Sequence, residues 1–112
     1  MEGKPKESDW KTFRKMVPEL RERYLAEKNK EIVAIFMAEG RTPTQRFWDA
    51  RERIESERRI LEACLDRHTR SKMRWYVHLM YGHGMLSDVD LENFTEDLRD
   101  DIKRGSHFFI KP

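Results

Sequence analysis

Apolar residues recur at spacings of three and four along most of this chain, which is the spacing of one face of an α-helix. Only the segments FFI and WYV are rich in β-forming residues, and both are too short and isolated to indicate a sheet. The pattern therefore predicts an all-α fold. We expect a long antiparallel helical hairpin, preceded by a short N-terminal helix and followed by two further helices, which makes a four- to five-helix bundle.

The N-terminal part is predicted to hold the short helix and the first arm of the hairpin. Ser8 is a candidate N-cap for the short helix, and Val17-Pro18 predicts a break or kink after it, because the residue before a proline avoids helical dihedrals. The first arm is predicted from Pro18 to Glu39, with Gly40 ending it. The segment EKNKE interrupts its apolar stripe, and Asn29 within that segment is a candidate buried polar residue that would fix the packing register.

The segment RTPTQ contains the clearest local signal. Thr42 and Gln45 have the spacing of a capping box, and Pro43 occupies the first helical position. The second arm is predicted to run to about His68, which makes it ~39 Å long, whereas a domain of this size is only ~30–35 Å across. We therefore expect this arm to extend beyond the rest of its own chain or to pack along a second copy. Glu57 falls on its apolar seam, which is formed by Phe47, Ala50, Ile54, Leu61 and Cys64.

The segment SKMRWYVHLMYGHGM is the most apolar part of the chain. Ser71 is predicted to cap a helix that ends near Tyr81, and Ser87 with Asp90 predicts the start of a last helix that Gly105 ends. Apolar side chains surround the Ser71 helix on all sides, which indicates burial on all sides. A thin bundle offers little cover, so we expect a second subunit on one side. The candidate interface residues are Met73, Trp75, Tyr76, Leu79 and Met80.

The composition favours a folded protein with a thin core. Charged residues make up 39% of the chain, but the net charge is only +2 and aromatic residues reach 11%, unlike disordered chains. With 38% hydrophobic residues the core is expected to be small, and self-association would bury more apolar surface. The single cysteine, Cys64, excludes an intrachain disulfide. No signal peptide is visible and no apolar run approaches the ~20 residues of a membrane span, so we expect a cytosolic protein without membrane contacts.

One domain is expected for 112 residues. Residues 1–7 are predicted to be a flexible N-terminal tail and residues 8–104 a single helical domain. Residues 105–112 form a C-terminal tail. Its apolar residues Phe108, Phe109 and Ile110 are costly to expose, so we expect this tail to dock on another surface.

Basic residues cluster in the middle of the chain, next to two aromatic residues. This basic edge consists of Arg67, Arg70, Lys72 and Arg74, followed by Trp75 and Tyr76, and such a combination can contact phosphates and stack on bases. The helix predicted after the GHG turn is acidic, which disfavours the usual docking of a helix-turn-helix. RNA or DNA binding by the basic edge is therefore an alternative, and a solvated or subunit-facing edge is the favoured interpretation.

Motifs for metal binding or catalysis are weak. Cys64 and His68 stand four residues apart on one helix, but no second pair stands at ligand spacing, and a turn separates His78 from His83. The segment DVDLENFTEDLRD lacks the glycine and glutamate that a calcium loop needs at its sixth and twelfth positions. No catalytic, cofactor-binding or metal-ligating residue is predicted, and an enzyme is disfavoured. A ligand-binding or enzymatic bundle around His78 and His83 is the second alternative.

The favoured hypothesis is a small cytosolic helical protein that acts through self-association. A homodimer with an adaptor or regulatory role is the simplest form of it, and a different protein is a second candidate partner.

Overall fold

The computed structural model describes residues 6–105, and within them the backbone forms helices and turns without any strand. The predicted all-α class is confirmed. The helices are α1 (Glu7–Phe36), α2 (Pro43–Leu65), α3 (Met73–Gly82), α4 (Asp88–Leu91) and α5 (Glu96–Gly105), with a 3₁₀ turn at Arg70–Lys72. In residues 6–105 no helix has both the length and the apolar character that crossing a membrane requires. Most of both predicted tails, including Phe108, Phe109 and Ile110, lies outside the described residues.

The predicted break at Val17-Pro18 is wrong, because α1 continues through Pro18 as one helix of 30 residues. A proline in a helix interior removes a backbone hydrogen bond and costs about 3 kcal/mol. Pro18 is exposed, but the side chains on both sides of it bury one common face of α1. This buried face consists of Phe13, Val17, Leu20 and Tyr24. Burying each large apolar side chain stabilises the fold by roughly 1.5–3 kcal/mol, which together outweighs the cost of the proline.

The predicted short N-terminal helix is consequently the first part of α1. This helix begins at Glu7, with Lys6 rather than Ser8 at the N-cap position. Its first turn carries Glu7 and Asp9, and acidic residues there are favoured by the helix dipole.

The turn of the hairpin follows its local sequence closely, and the predicted capping box is confirmed. The Gln45 N–H donates to Thr42 Oγ1 at 3.1 Å, and the Thr42 N–H donates to Gln45 Oε1 at 3.0 Å. Pro43 is the first residue of α2. Gly40 lies in the turn with φ of +80°, a backbone conformation that glycine adopts at the lowest cost. Both arms end earlier than predicted, α1 at Phe36 and α2 at Leu65.

A network of polar contacts joins the second half of α1 to the middle of α2. The Tyr24 hydroxyl donates to the buried Glu57 carboxylate, which also accepts from Arg53 Nε at 3.0 Å. Arg53 in turn donates to Glu31 of α1. Glu57, which interrupts the apolar seam in the sequence, is thus a hydrogen-bonded member of the helix interface. Burial, followed by the hydrogen bond to Glu57, raises the pKa of Tyr24 above its ordinary value.

The hairpin extends well beyond the remaining helices, as its predicted length indicated. The molecule measures 55 × 28 × 23 Å and has a radius of gyration of 16.5 Å, against ~13 Å for a compact domain of this length. α3, α4 and α5 pack near the ends of α1 and α2 that lie farthest from the turn. The core there is built mainly from Phe13, Leu20, Cys64, Met73, Val77, Met80, Met85, Leu86, Leu91 and Ile102.

Two expectations for the C-terminal third need correction. Ser71 does not cap α3, because it lies inside the 3₁₀ turn that precedes the helix. The single last helix is in fact two, α4 and α5, although the capping box of Ser87 and Asp90 is present at the start of α4. The helix is interrupted between them, where the Thr95 N–H and hydroxyl donate to the buried Asp9 carboxylate of α1, at 2.9 and 2.7 Å.

Candidate interaction surface

One side of α3 is covered by the chain itself. Met73, Val77 and Met80 are buried between α2 and α5. After Gly84, at φ of +78°, the backbone turns back on α3, and the N–H groups of Met85 and Leu86 donate to the Met80 carbonyl at 2.8 and 3.2 Å. Two of the five candidate interface residues, Met73 and Met80, therefore belong to the core of the single chain.

The other three candidate interface residues differ in exposure. Tyr76 and Leu79 are half-buried against the core, and the Tyr76 hydroxyl donates to the Arg67 carbonyl at 3.3 Å. The Tyr76 ring also meets His68 edge-on, with ring centroids 4.6 Å apart. Trp75 is 49% exposed. The chain thus supplies much of the cover that the sequence pattern assigned to a second subunit, and α3 presents little apolar surface besides Trp75.

The basic edge lies around the 3₁₀ turn and the start of α3. Arg70 forms an ion pair with Glu7 of α1, and Arg74 forms one with Asp101 of α5, each at 2.7 Å. Arg67 has a left-handed backbone, with φ of +55°, and Lys72 is exposed. Part of the positive charge of this edge is therefore used in contacts between helices of the same chain.

The two histidines of the alternative ligand site have different surroundings. His78 Nε2 lies 3.5 Å from a carboxylate oxygen of Asp101 on α5, whereas His83 is exposed beside Arg23 and Tyr24. Burial lowers the pKa of His78 below its ordinary value, and the Asp101 carboxylate acts in the opposite direction. Across residues 6–105, no group of three or more His, Cys, Asp or Glu side chains is placed to hold a metal ion.

Cys64 and His68 do not form a chelating pair in the structure. The His68 Nε2–H donates to the backbone carbonyl of Cys64 at 2.7 Å, so this nitrogen is directed to the peptide rather than to the thiol. Burial raises the pKa of the Cys64 thiol to about 12, which keeps it protonated and unreactive near neutral pH.

The long hairpin has one side that α3, α4 and α5 do not cover. Arg23 of α1 forms an ion pair with Asp90 of α4 on the covered side, and Leu25 lies about 200° further around the helix. Leu25 lines an open groove of about 370 Å³ between α1 and α2, opposite Leu61 and Leu65. We call this uncovered side the outer face. By their spacing along the two helices, it comprises Leu25, Asn29, Ile32 and Phe36 of α1 and Phe47, Arg51, Ile54, Arg58, Leu61 and Leu65 of α2. The predicted burial of Asn29 is wrong, because this residue lies on the uncovered side and is exposed.

Exposed apolar side chains are concentrated on the hairpin. Among the described residues, eight large hydrophobic side chains are exposed, and six of them lie in the halves of α1 and α2 nearest the turn or directly beside it. These six are Val33, Phe36, Met37, Phe47, Trp48 and Ile54. On the outer face, Phe36 is 45% exposed, Ile54 49% and Phe47 56%. Isolated exposed apolar residues are ordinary, whereas a group on one extended element indicates an interaction surface.

This surface was not predicted from the sequence, because two apolar stripes of α2 were combined into one seam. Ala50, Glu57 and Cys64 are buried against the rest of the chain, whereas Phe47 and Ile54 are exposed beside them. Each stripe repeats every seven residues, and the two are offset by three. An offset of three is also the spacing of the two positions of a single helical seam, so the sequence alone does not separate a one-sided helix from one whose second stripe is left exposed.

No protein-family model matches the chain, and no curated protein or solved structure shows significant similarity to it.

Proposed function

We propose that this protein is a small cytosolic interaction protein that acts through self-association, in an adaptor or regulatory role, and that the outer face binds a second copy. The observation that carries the proposal is the concentration of exposed apolar side chains on a hairpin that extends beyond the core. The proposed interface moves from α3 to the outer face, because Met73 and Met80 are already buried within one chain.

The outer face has roughly the area that a stable dimer requires. The stretch of α2 from Phe47 to Leu65 is about 28 Å long, and two adjacent helices are about 20 Å wide, which gives a projected area of about 600 Å² per copy. Stable protein interfaces bury about 800 Å² of accessible surface per partner, and accessible area exceeds projected area. A second hairpin placed against this face would therefore bury enough surface for specific association.

The spacing of the outer face suits another helical hairpin. Leu25 and Ile32 on α1 are seven residues apart, as are Phe47, Ile54 and Leu61 on α2. Such spacing allows helices to pack side by side over several turns. A second copy presents the same spacing on both of its arms, and the pair would form a four-helix arrangement.

The two alternatives of the sequence analysis gain less support. Arg70 and Arg74 of the basic edge form ion pairs with acidic residues of the same chain. His78 lies beside Asp101, whereas His83 is exposed beside Arg23 and Tyr24, so the two histidines do not line one site.

Sedimentation equilibrium of the full chain at micromolar concentration tests the proposal. The chain has a mass of 13.6 kDa, and we expect twice that value. Ile54→Glu places a charge at the centre of the outer face and should dissociate the dimer, since truncating a central apolar anchor typically costs ~2 kcal/mol or more of binding. Phe47→Glu should act in the same direction.

Val89→Glu is the matched control. Val89 is also an exposed aliphatic residue, but it lies on α4, so the same substitution there should leave the mass unchanged. Circular dichroism of each variant checks that the helices are retained. A wild-type chain that sediments at 13.6 kDa would contradict the proposal.

A further inference from the structure

We infer that the outer face selects an antiparallel second copy through the order of charges along α2. This inference rests on the proposed self-association and adds the orientation of the two copies and the residues that determine it.

Four charged residues alternate in sign along the outer side of α2. Arg51, Glu55, Arg58 and Glu62 follow one another at spacings of four, three and four residues, so they form one row on the helix. The row has the order positive, negative, positive, negative. When it is read in the reverse direction, every sign is inverted.

This inversion makes the row self-complementary only for antiparallel copies. If two α2 helices lie side by side in opposite directions, centred between Ser56 and Glu57, Arg51 meets Glu62 of the partner subunit. Glu55 then meets Arg58 of the partner subunit, and the two-fold symmetry repeats both pairs. Two parallel α2 helices in register would instead place each charge against the same charge.

The charged row is ordered and accessible in the single chain. Arg58 forms ion pairs with Glu55, at 2.6 Å, and with Glu62. The guanidinium of Arg51 lies over the Trp48 ring, 5.9 Å from its centroid. The side chains of Arg58 and Glu62 are 50% and 59% exposed. Accessible charges of this kind contribute little affinity, but they discriminate between orientations, because placing like charges together is unfavourable.

The apolar residues and α1 favour the same orientation. With the same centre, Phe47 lies level with Asp66 of the partner subunit, one residue beyond Leu65 of the partner subunit. Ile54 lies between Arg58 and Leu61 of the partner subunit. In the other two-fold arrangement, with the hairpin turns together, α2 would face α1 of the second copy. The outer stripe of α1 consists of the uncharged residues Leu25, Asn29, Ile32 and Phe36, and the one charged residue of α1 that lines the same groove is Arg21. The charged row of α2 would therefore find no row of alternating charges opposite it.

Exchanging one pair of charges tests the orientation. We would measure the dimer dissociation constant by sedimentation for the wild type, Arg51→Glu, Glu62→Arg and the double variant. Each single change places like charges together at two symmetric positions, and we expect the dissociation constant to rise about tenfold. The double variant restores opposite charges at both positions, and its dissociation constant should return to within about threefold of the wild type.

Two control variants on other sides of α2 separate position from net charge. Arg59→Glu and Glu52→Arg make the same changes of charge at exposed positions away from the outer face, and neither should alter the dissociation constant. Circular dichroism confirms that the exposed substitutions leave the helices intact. A dimer in which the double variant remains as weak as the single variants would overturn the antiparallel orientation alone. A monomeric wild-type chain would overturn both this inference and the proposed self-association.

Discussion

Asp9 connects the start of α1 to the start of α5, and its replacement by alanine should strongly destabilise the fold. Asp9 is 4% exposed, and its carboxylate accepts hydrogen bonds from both the N–H and the hydroxyl of Thr95, at 2.9 and 2.7 Å. The first N–H groups of a helix have no partner within the helix. Asp9 therefore acts as a cap for α5 from the opposite end of the chain, and the contact closes the bundle.

The cost of Asp9→Ala follows from these two bonds. A hydrogen bond to a charged group contributes about 1.5–3 kcal/mol, and a donor left without a partner adds a desolvation penalty of similar size when it is buried. Thr95 is half-buried, so water can replace part of what is lost. We expect a net loss of about 3 kcal/mol in the free energy of unfolding, which for a chain of ~100 residues corresponds to a Tm lower by roughly 10–15 °C.

Urea unfolding followed by circular dichroism measures this loss. All variants must be compared at one protein concentration, because self-association would contribute to the apparent stability. Glu96→Ala is the control, since it removes an exposed carboxylate from the first turn of α5 and should cost only about 0.5 kcal/mol. Asp9→Asn retains one acceptor oxygen and should fall between the two. An Asp9→Ala variant within about 0.5 kcal/mol of the control would refute the capping role.

Two further predictions concern the turn of the hairpin and α3. Thr42→Ala removes the hydroxyl that accepts from the Gln45 N–H and should lower the free energy of unfolding by about 1 kcal/mol. Thr42→Ser keeps a hydroxyl at this position and should keep the wild-type stability. Thermal unfolding of both variants measures the difference. Burial lowers the pKa of His78 in the folded chain below its ordinary value of 6.5, so folding favours the neutral ring. The stability from this shift is complete above pH 6.5 and is lost as the pH falls through the folded pKa. Urea titrations of wild type and His78→Gln should show that the free energy of unfolding of the variant depends less on pH in this range. An equal dependence on pH in both proteins would contradict the lowered pKa of His78.

The helical class and the helix starts with local caps could be predicted from the sequence. The capping boxes of Thr42 with Gln45 and of Ser87 with Asp90 lie within three residues along the chain, and both are present in the structure. The length of the second arm also indicated an extended molecule, which the 55 Å dimension confirms. These features depend on backbone geometry and on neighbours one turn apart, so the rest of the fold has little influence on them.

Long-range packing decided the places where local rules were overridden. Pro18 remains inside α1, because the residues before and after it bury one common face. The predicted last helix is interrupted before α5, where Asp9 binds Thr95. These two residues are 86 positions apart, so no local sequence pattern contains this contact. In both cases burial or hydrogen bonding across the bundle exceeds the local preference of the chain.

Residue spacing alone indicates that α2 has a heptad-spaced apolar seam and that α3 is apolar all round, but it does not indicate which side of either helix faces the core. That choice depends on how α3 and α5 pack on the end of the hairpin. Their packing buries Met73 and Met80 of the candidate interface together with Cys64 of α2, and it leaves Ile54 exposed on the outer face. The two stripes of α2 differ little in their local sequence, and only the position of the other helices makes one of them interior and the other exterior.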